Sequence, residues 1–334
     1  MVSSASESTK RTQNVQIANT GIIRPLVAFD GGNRSIQWVD SDGRVHCIPS
    51  FIKSIDPTWE DVEADPESVV IEVEGETFVM GQAAKDLSGV AIFQDDKIAI
   101  AHHLVLAALQ PNPGQNAVRI ERLLMAVPNA RDPKTLKALQ AIEGTHEFYR
   151  NDQGIVATIR RVEAIDETRA AYIYAMKRNV FKAKRQLNGI LDLGGGTSIM
   201  RLYSVNGSIM READLVLPGT FSLAQKIAAR LTKDTGYSPD LTLIMDGIED
   251  GSFQLGTTGI DFSNHFEQCR SAWLDEIKAE VRTRWTKWIP SLGEVLVIGG
   301  SAPLAEPLQA SSNGRFKIAE NPRTISIIGM SEVS

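Results

Sequence analysis

The chain has 334 residues, 43% hydrophobic and 23% charged, which excludes a wholly disordered chain and leaves room for two domains of ordinary size. A formal net charge of −6 makes it a poor coat for nucleic acid. Its two cysteines, Cys47 and Cys269, stand far apart without a CxxC, excluding a disulfide framework and a cysteine-based zinc site. No apolar run approaches the ~20 residues of a membrane span. The Ser/Thr/Gln/Asn-rich residues 1–20 lack the apolar segment of a secretory signal. A soluble cytoplasmic protein with a flexible tail over 1–20 is expected.

The first strand signal is the apolar run 25–29, ending at Asp30-Gly31-Gly32-Asn33. Alternation through 35–39, a Ser41-Asp42-Gly43 turn and a run over 44–48 complete a three-stranded meander. Residues 56–68 read as acidic and irregular, and 69–73 and 77–80 as a hairpin around Glu74-Gly75-Glu76. A helical pattern over 97–109 is closed by Pro111-Asn112-Pro113-Gly114. The run 119–127 predicts a buried strand, and 132–143 a helix with Asp132 as N-cap and Pro133 at its first position. A strand over 156–162 and a helix over 166–184, capped by Asp166, follow.

The opening pattern then returns. Residues 189–191 end at Asp192-Leu193-Gly194-Gly195-Gly196-Thr197, an alternating strand spans 198–205, and Asn206-Gly207 signals a hairpin into a third strand over 208–214. The two aspartates, Asp30 and Asp192, stand 162 residues apart, about half the chain. With no short-period repeat, this reads as two halves of similar topology. A helix over 220–232, an irregular stretch to about 264 and a long helix over about 266–288 follow. Its stripe of Phe266, Cys269, Trp273, Ile277, Val281, Trp285 and Trp288 reads as a core face. The run 294–298 is a buried strand entering Gly299-Gly300-Ser301-Ala302-Pro303 and a short helix, and the chain closes on Asn321-Pro322-Arg323 and an apolar segment over 324–329.

A phosphate chain needs backbone N–H donors that can approach closely, which favours Gly, and carboxylates that hold Mg2+ through water. The two Asp-Gly turns each supply an acid at a strand end beside such glycines. Taken singly, Asp-Gly-Gly is also an ordinary hairpin turn; three glycines followed by Thr-Ser exceed what a hairpin needs. The third piece, 295–303, is a buried strand followed by glycines against which a ligand can lie and a Ser opening a helix. A GxGxxG dinucleotide fingerprint, a P-loop and a Gly-x-Ser-x-Gly elbow are absent, and His102-His103 lacks a third ligand at metal-binding spacing.

In this order the three motifs resemble the phosphate-1, phosphate-2 and adenosine motifs of the actin-like ATPase superfamily, over about residues 25–329. Within it the chain looks most like the ParM/StbA plasmid-segregation actins and their archaeal relatives. Phe78-Val79-Met80-Gly81-Gln82-Ala83 resembles their hairpin segment, and Asp166-Glu167-Thr168-Arg169-Ala170-Ala171 the start of their first connecting helix.

The resemblance implies an α/β, actin-like fold: two related RNase H-like domains with mixed β-sheets facing across a nucleotide cleft. Domain I would cover 21–168, with 321–334 returning to it, and domain II 169–320. Asp30 would face Mg2+ through water, while Gly31, Gly32 and Asn33 contact the β- and γ-phosphates of ATP, with GTP as the alternative. Glu167 would order the attacking water. Asp192 would be the second metal- and water-positioning carboxylate, and Gly194, Gly195, Gly196 and Thr197 would wrap the phosphates. Gly299, Gly300 and Ser301 would line the nucleoside, with Gly219 approaching from the side.

The implied function is an ATPase polymerising head-to-tail for plasmid or DNA segregation, with a DNA-bound adaptor as a further partner and neither nucleic acid nor membrane bound directly. The rival is a small-molecule sugar or acyl kinase of the same superfamily. A chaperone ATPase lacks room for a substrate-binding domain, and a non-hydrolysing scaffold sits poorly with Asp30, Glu167 and Asp192. Two departures stand out. Many actins carry Lys seven residues after the first Asp, where this chain has Gln37, with Ser35 as a substitute donor; and Gly329 lacks the usual preceding Asn-Ala. The basic cluster Lys177, Arg178, Lys182, Lys184 and Arg185 reads as a solvated helix face.

Overall fold

A computed structural model describes residues 21–32, 34–40, 42–60, 62–92 and 100–333. The expected tail, Asn33 and the first residues of the helix expected from 97 lie outside the described residues. The chain opens with β1 (Ile22–Arg24), β2 (Val27–Gly31), β3 (Ser35–Val39), β4 (Val45–Pro49) and β5 (Phe51–Ile55). The hairpin of β6 (Ser68–Val73) and β7 (Glu76–Gly81) leads to α1 (Gln82–Asp86), β8 (Val90–Ala91) and α2 (Ala101–Leu106). Then come β9 (Ala117–Ile120), β10 (Leu123–Val127), α3 (Pro133–Gln140), β11 (Gly144–Arg150), β12 (Gln153–Ile159), β13 (Val162–Asp166) and α4 (Glu167–Lys177). The second half holds β14 (Leu187–Leu193), β15 (Thr197–Tyr203), β16 (Leu215–Pro218), α5 (Thr220–Thr235), α6 (Leu241–Glu249) and α7 (Ser263–Trp285). It ends with β17 (Leu292–Ile298), α8 (Glu306–Ser311), β18 (Phe316–Ile318) and α9 (Ile325–Ser331).

The repeat read from the two Asp-Gly turns is a repeat of topology. One five-stranded sheet runs β4-β3-β2-β10-β13 and another β16-β15-β14-β17-β18. In each, three antiparallel strands are followed by two parallel ones. The aspartates hold matching places on the central strands: Asp30 pairs with Gln37 and Asp192 with Ile199.

An eight-stranded sheet, β1-β9-β12-β11-β6-β7-β5-β8, adjoins the first repeat. Two runs expected as single strands are each divided between the sheets: 119–127 breaks between β9 and β10, and 156–162 passes from β12 to β13. Polar or proline residues mark such breaks. Between β1 and β2, which also lie in different sheets, Pro25 offers no N–H to a ladder, and Glu121 pairs with Arg119 at 2.8 Å and Arg160 at 3.4 Å where β9 and β10 part.

Three further expectations are corrected. The Asn206-Gly207 turn forms, with Gly207 at φ 81°, but pairing ends at the Tyr203–Ile209 bridge, and the third strand of the second meander is Leu215–Pro218 rather than 208–214. Arg211 and Asp214 are drawn instead into an ionic cluster. Helix α4 stops at Lys177 because Asn179 turns left-handed (φ 56°), so most of the basic cluster lies beyond it. Within the irregular stretch 233–264 lies α6, whose Asp240 accepts from Thr242 N at 2.7 Å.

From Phe266 to Trp285 the aromatic stripe of α7 is the core face it promised, while Trp288 lies beyond the end of the helix and is half-buried. Trp273 and Trp285 are fully buried, and their indole N–H groups donate to Pro218 O at 3.0 Å and Ala213 O at 2.8 Å. At the other end of the chain, α9 packs Ile327 and Met330 into the cluster holding Ala28, Leu124 and Ile165. Among the described residues no helix is long and apolar enough to cross a membrane.

Candidate functional site

The carboxyl ends of β2, β10 and β13 from the first repeat, and of β14 and β17 from the second, line one cleft of about 360 Å³. Strand ends in open α/β sheets leave backbone and side-chain groups converging on such a crevice. From the predicted set, Asp30, Gly32 and Glu167 lie on one side and Asp192, Gly194, Gly195 and Thr197 on the other. Gly299, Gly300 and Ser301 close its end. The structure thus gathers ten predicted residues from four separated segments.

Four predicted residues lie elsewhere. Asn33 is outside the described residues. Gly31 packs against the Phe29 ring rather than lining the cleft, and Gly196 sits within its turn without lining the cleft. Gly219 lies beneath the second glycine turn: a Cβ there would come within 2.7 Å of Gly194 O and Gly195 O. Its neighbour Thr220 reaches the cleft instead.

The second turn is tied down through its carbonyls. Gly194 O and Gly195 O accept from Thr220 N (3.1 Å) and Phe221 N (2.8 Å), the first amides of α5. Among the described residues, the N–H groups of Gly195 and Gly196 make no hydrogen bond to protein. That leaves amide donors on a glycine backbone beside the cleft, the arrangement a phosphate oxygen requires. Gly299, at φ 92°, could not be another residue: a Cβ there would overlap Asp192 Oδ1 and Leu193 O. The chain therefore turns directly behind the second aspartate.

Gln37 stands beside Asp30 across the β2–β3 ladder. It is buried, its Nε2 donating to Ser35 Oγ (3.0 Å) and Arg323 O (3.2 Å), while its Oε1 is buried without a partner. An acceptor in that state calls for a donor such as a metal-bound water. Three carboxylates and an orphaned amide oxygen suit a hydrated divalent cation better than a directly ligated one, and no cluster of three or more His, Cys, Asp or Glu positioned for direct ligation exists among the described residues.

Helix α6 supplies the part of the wall that sequence reasoning missed. Met245 and Ile248 line the cleft, and Glu249 does so at its mouth. Arg34 Nη2 bonds Asp246 Oδ1 at 2.9 Å and Glu249 Oε2 at 2.7 Å; Lys85 Nζ bonds Asp246 Oδ2 at 2.7 Å; and Arg323 pairs with Glu249. Burial alone would raise the Glu249 carboxyl, but Arg34 and Arg323 outweigh it and hold the group below its ordinary value of 4.5. The cap at Asp240 and apolar spacing over Leu241, Ile244, Met245 and Ile248 are the signals that could have revealed this helix.

A depressed carboxylate pKa stabilises the folded state above its unfolded value, and that contribution fades as pH falls through the lower folded value. The contribution of Glu249 to the unfolding free energy should therefore be constant above about pH 5 and decline below about pH 4.5. Denaturant titrations from pH 6 to 3 should show a shallower acid-side decline for Glu249→Gln; identical slopes would remove Glu249 from the account.

A second cluster lies behind Glu167. Asp166, at the N-cap position of α4, makes no side-chain cap bond; its carboxylate accepts from Arg211 Nη2 at 2.7 and 2.8 Å. Arg201, buried on β15, donates to Asp214 Oδ2 (3.2 Å), Thr168 Oγ1 (3.4 Å) and Pro128 O, with Asp166 Oδ1 at 3.6 Å. Thr168 also bonds the Tyr203 hydroxyl at 2.8 Å. Both neighbours of Glu167 are thus held by one side chain from the opposite repeat.

Comparison with known proteins agrees with this architecture. Residues 28–168 match the family model of the N-terminal domain of actin-like proteins. No curated protein matches the chain by sequence. Among solved structures, an archaeal actin homolog superposes with TM-score 0.76 at 13% identity, covering 92% of this chain and 98% of its own. That homolog is also known in a complex with ADP. A ParM from a 15-stranded filament of Clostridium botulinum superposes with TM-score 0.75 at 18% identity, again over 92% and 98%. The ParM protein of psk41 in its apo form gives 0.68 at 16%, over 91% and 95%. The chain has the actin-like fold, as the resemblance in its motifs implied.

Proposed function

We propose, starting from this actin-like fold, that the chain is an ATPase that binds Mg-ATP in the cleft, polymerises head-to-tail and hydrolyses the nucleotide, serving plasmid or DNA segregation in the cytoplasm. The observation that carries the reading is the cleft itself: two glycine turns on matching strands, each beside an aspartate, with Glu167 at the head of α4 as a third acid. The ADP complex of the archaeal homolog and the filament of the clostridial ParM, properties of those proteins, support carrying the same chemistry here.

In this reading the amides of the second turn and Gly32 hold the phosphates, and Gly299, Gly300 and Ser301 take the nucleoside against Met245 and Ile248. Asp30, Asp192 and Gln37 Oε1 would hold the hydrated Mg2+, which when bound supplies charge neutralisation at the phosphates. Glu167 orients a water and accepts its proton. The site works by positioning and electrostatics, with no nucleophilic side chain needed. A heterologous contact that does not close would turn such monomers into filaments, and a DNA-bound adaptor would link them to their cargo.

The test is right-angle light scattering with pelleting on the purified protein, Mg2+ and ATP, GTP or a non-hydrolysable analogue. The expected result is a nucleotide-dependent rise above a critical concentration that decays with phosphate release for the triphosphate and persists for the analogue. Flat scattering with nucleotide bound and a phosphorylated small-molecule acceptor would favour the sugar or acyl kinase instead.

A further inference from the structure

We propose that Arg34 is the cation with which this chain recognises its nucleotide beyond the α-phosphate, and that Asp246 and Glu249 hold it against α6 until a phosphate takes it. The inference rests on reading the cleft as a nucleotide site, and it assigns one residue, and a coupling to α6, beyond that reading.

The first reason is charge. Asp30, Glu167, Asp192 and Glu249 line the cleft against two cations, Arg34 and Arg323, among the described residues. A polyphosphate entering four carboxylates needs a cation beyond its own Mg2+. At position 37, beside Asp30, the side chain is a neutral amide already committed to Ser35 and Arg323 O.

The second is place. Arg34 stands two residues beyond Gly32 of the first glycine turn, and its carbon chain lies over Gly195 of the second, so closely that a Cβ on Gly195 would overlap Arg34 Cγ. It spans the two turns that the proposed function assigns to phosphates. Both of its ion pairs use Nη2; Nε and Nη1 make no hydrogen bond among the described residues. A guanidinium has five donors in a planar fork suited to phosphate oxygens.

The third is the cost of the exchange. Removing one partner of a half-buried ion pair is expensive when it leaves a lone charge. Here neither carboxylate would be left alone: Asp246 keeps Lys85 at 2.7 Å and Glu249 keeps Arg323. Arg34 is the shared, replaceable member of the cluster. Because α6 also carries Met245 and Ile248 in the cleft wall, loss of Arg34 from Asp246 and Glu249 would loosen that wall as the phosphate is gripped.

The experiment measures equilibrium binding of Mg-ATP, Mg-ADP and AMP to wild type, Arg34→Gln and Glu249→Gln. Loss of a charge-assisted phosphate contact predicts about 10- to 100-fold weaker ATP and ADP binding by Arg34→Gln. AMP binding should stay within about twofold of wild type, which also reports that the variant is folded. Glu249→Gln, which removes a competitor for Arg34, should bind ATP several-fold more tightly than wild type. Equal losses for all three nucleotides, unchanged ATP affinity in Arg34→Gln, or weaker ATP binding by Glu249→Gln would each overturn the proposal while leaving the nucleotide reading intact. Failure of wild type to bind any of the three would overturn both.

Discussion

Replacing Glu167 by Gln should lower nucleotide hydrolysis by about two to four orders of magnitude, the usual worth of a positioned general base, with nucleotide affinity nearly unchanged. The acid sits at the first position of α4, between Asp166 and Thr168, and lines the cleft opposite Asp192 and the second glycine turn. Glutamine keeps its size and its place at the head of α4 but cannot accept the proton of an attacking water. Because binding is assigned to the glycine turns and the metal to Asp30 and Asp192, the loss should fall on kcat and spare KM. If assembly follows binding and disassembly follows hydrolysis, scattering with ATP should rise as in wild type and then persist. Single-turnover phosphate release is the direct measurement. Undiminished release would move the proton-accepting role away from Glu167.

The second large effect belongs to Arg201. Replacement by Met removes a buried guanidinium that Asp214, Thr168 and the Pro128 carbonyl all share. Breaking a buried ionic network from one side costs about 3–5 kcal/mol, and the lower end is expected because Arg211 still neutralises Asp166 and Asp214. Chemical denaturation should show the loss directly. Arg201 also holds both neighbours of Glu167 and the Pro128 carbonyl at the cleft, so a second consequence follows. Under conditions where the variant is fully folded, kcat should fall more than KM changes, and Arg201→Lys should restore part of it. A stability loss without a change in kcat would confine Arg201 to holding the two repeats together.

The two clusters divide the work between the repeats. Arg201 joins them behind the cleft, close to the acid proposed for chemistry, and the Arg34–α6 pairs join them at its mouth. Opening of the cleft would break the pairs at the mouth first, since those lie farther into solvent: the Arg34 side chain is 21% exposed and that of Arg201 5%. A stiff joint behind and a salt-sensitive one in front is the arrangement a cleft needs if it admits a ligand without disturbing its reacting groups.

Much of this protein was legible in its sequence because the relevant signals are local. Asp30-Gly31-Gly32 and Asp192 to Thr197 announce turns at strand ends through glycine, and their half-chain spacing reveals a repeat that the sheet order β4-β3-β2-β10-β13 and β16-β15-β14-β17-β18 then displays. The stripe from Phe266 to Trp285 declares a core face through a 3.6-residue period. Tertiary structure alone decided what depends on partners distant in the chain. The runs 119–127 and 156–162 look continuous, and only neighbouring strands determine where each leaves one sheet for another. Asp166 reads as a helix cap, yet its carboxylate is taken by Arg211, 45 residues away. Arg34 reads as an ordinary residue after a turn, and its significance lies in Asp246, 212 residues further on. Periodicity and turn chemistry are properties of short segments; the pairing of charges across a cleft is a property of the closed chain.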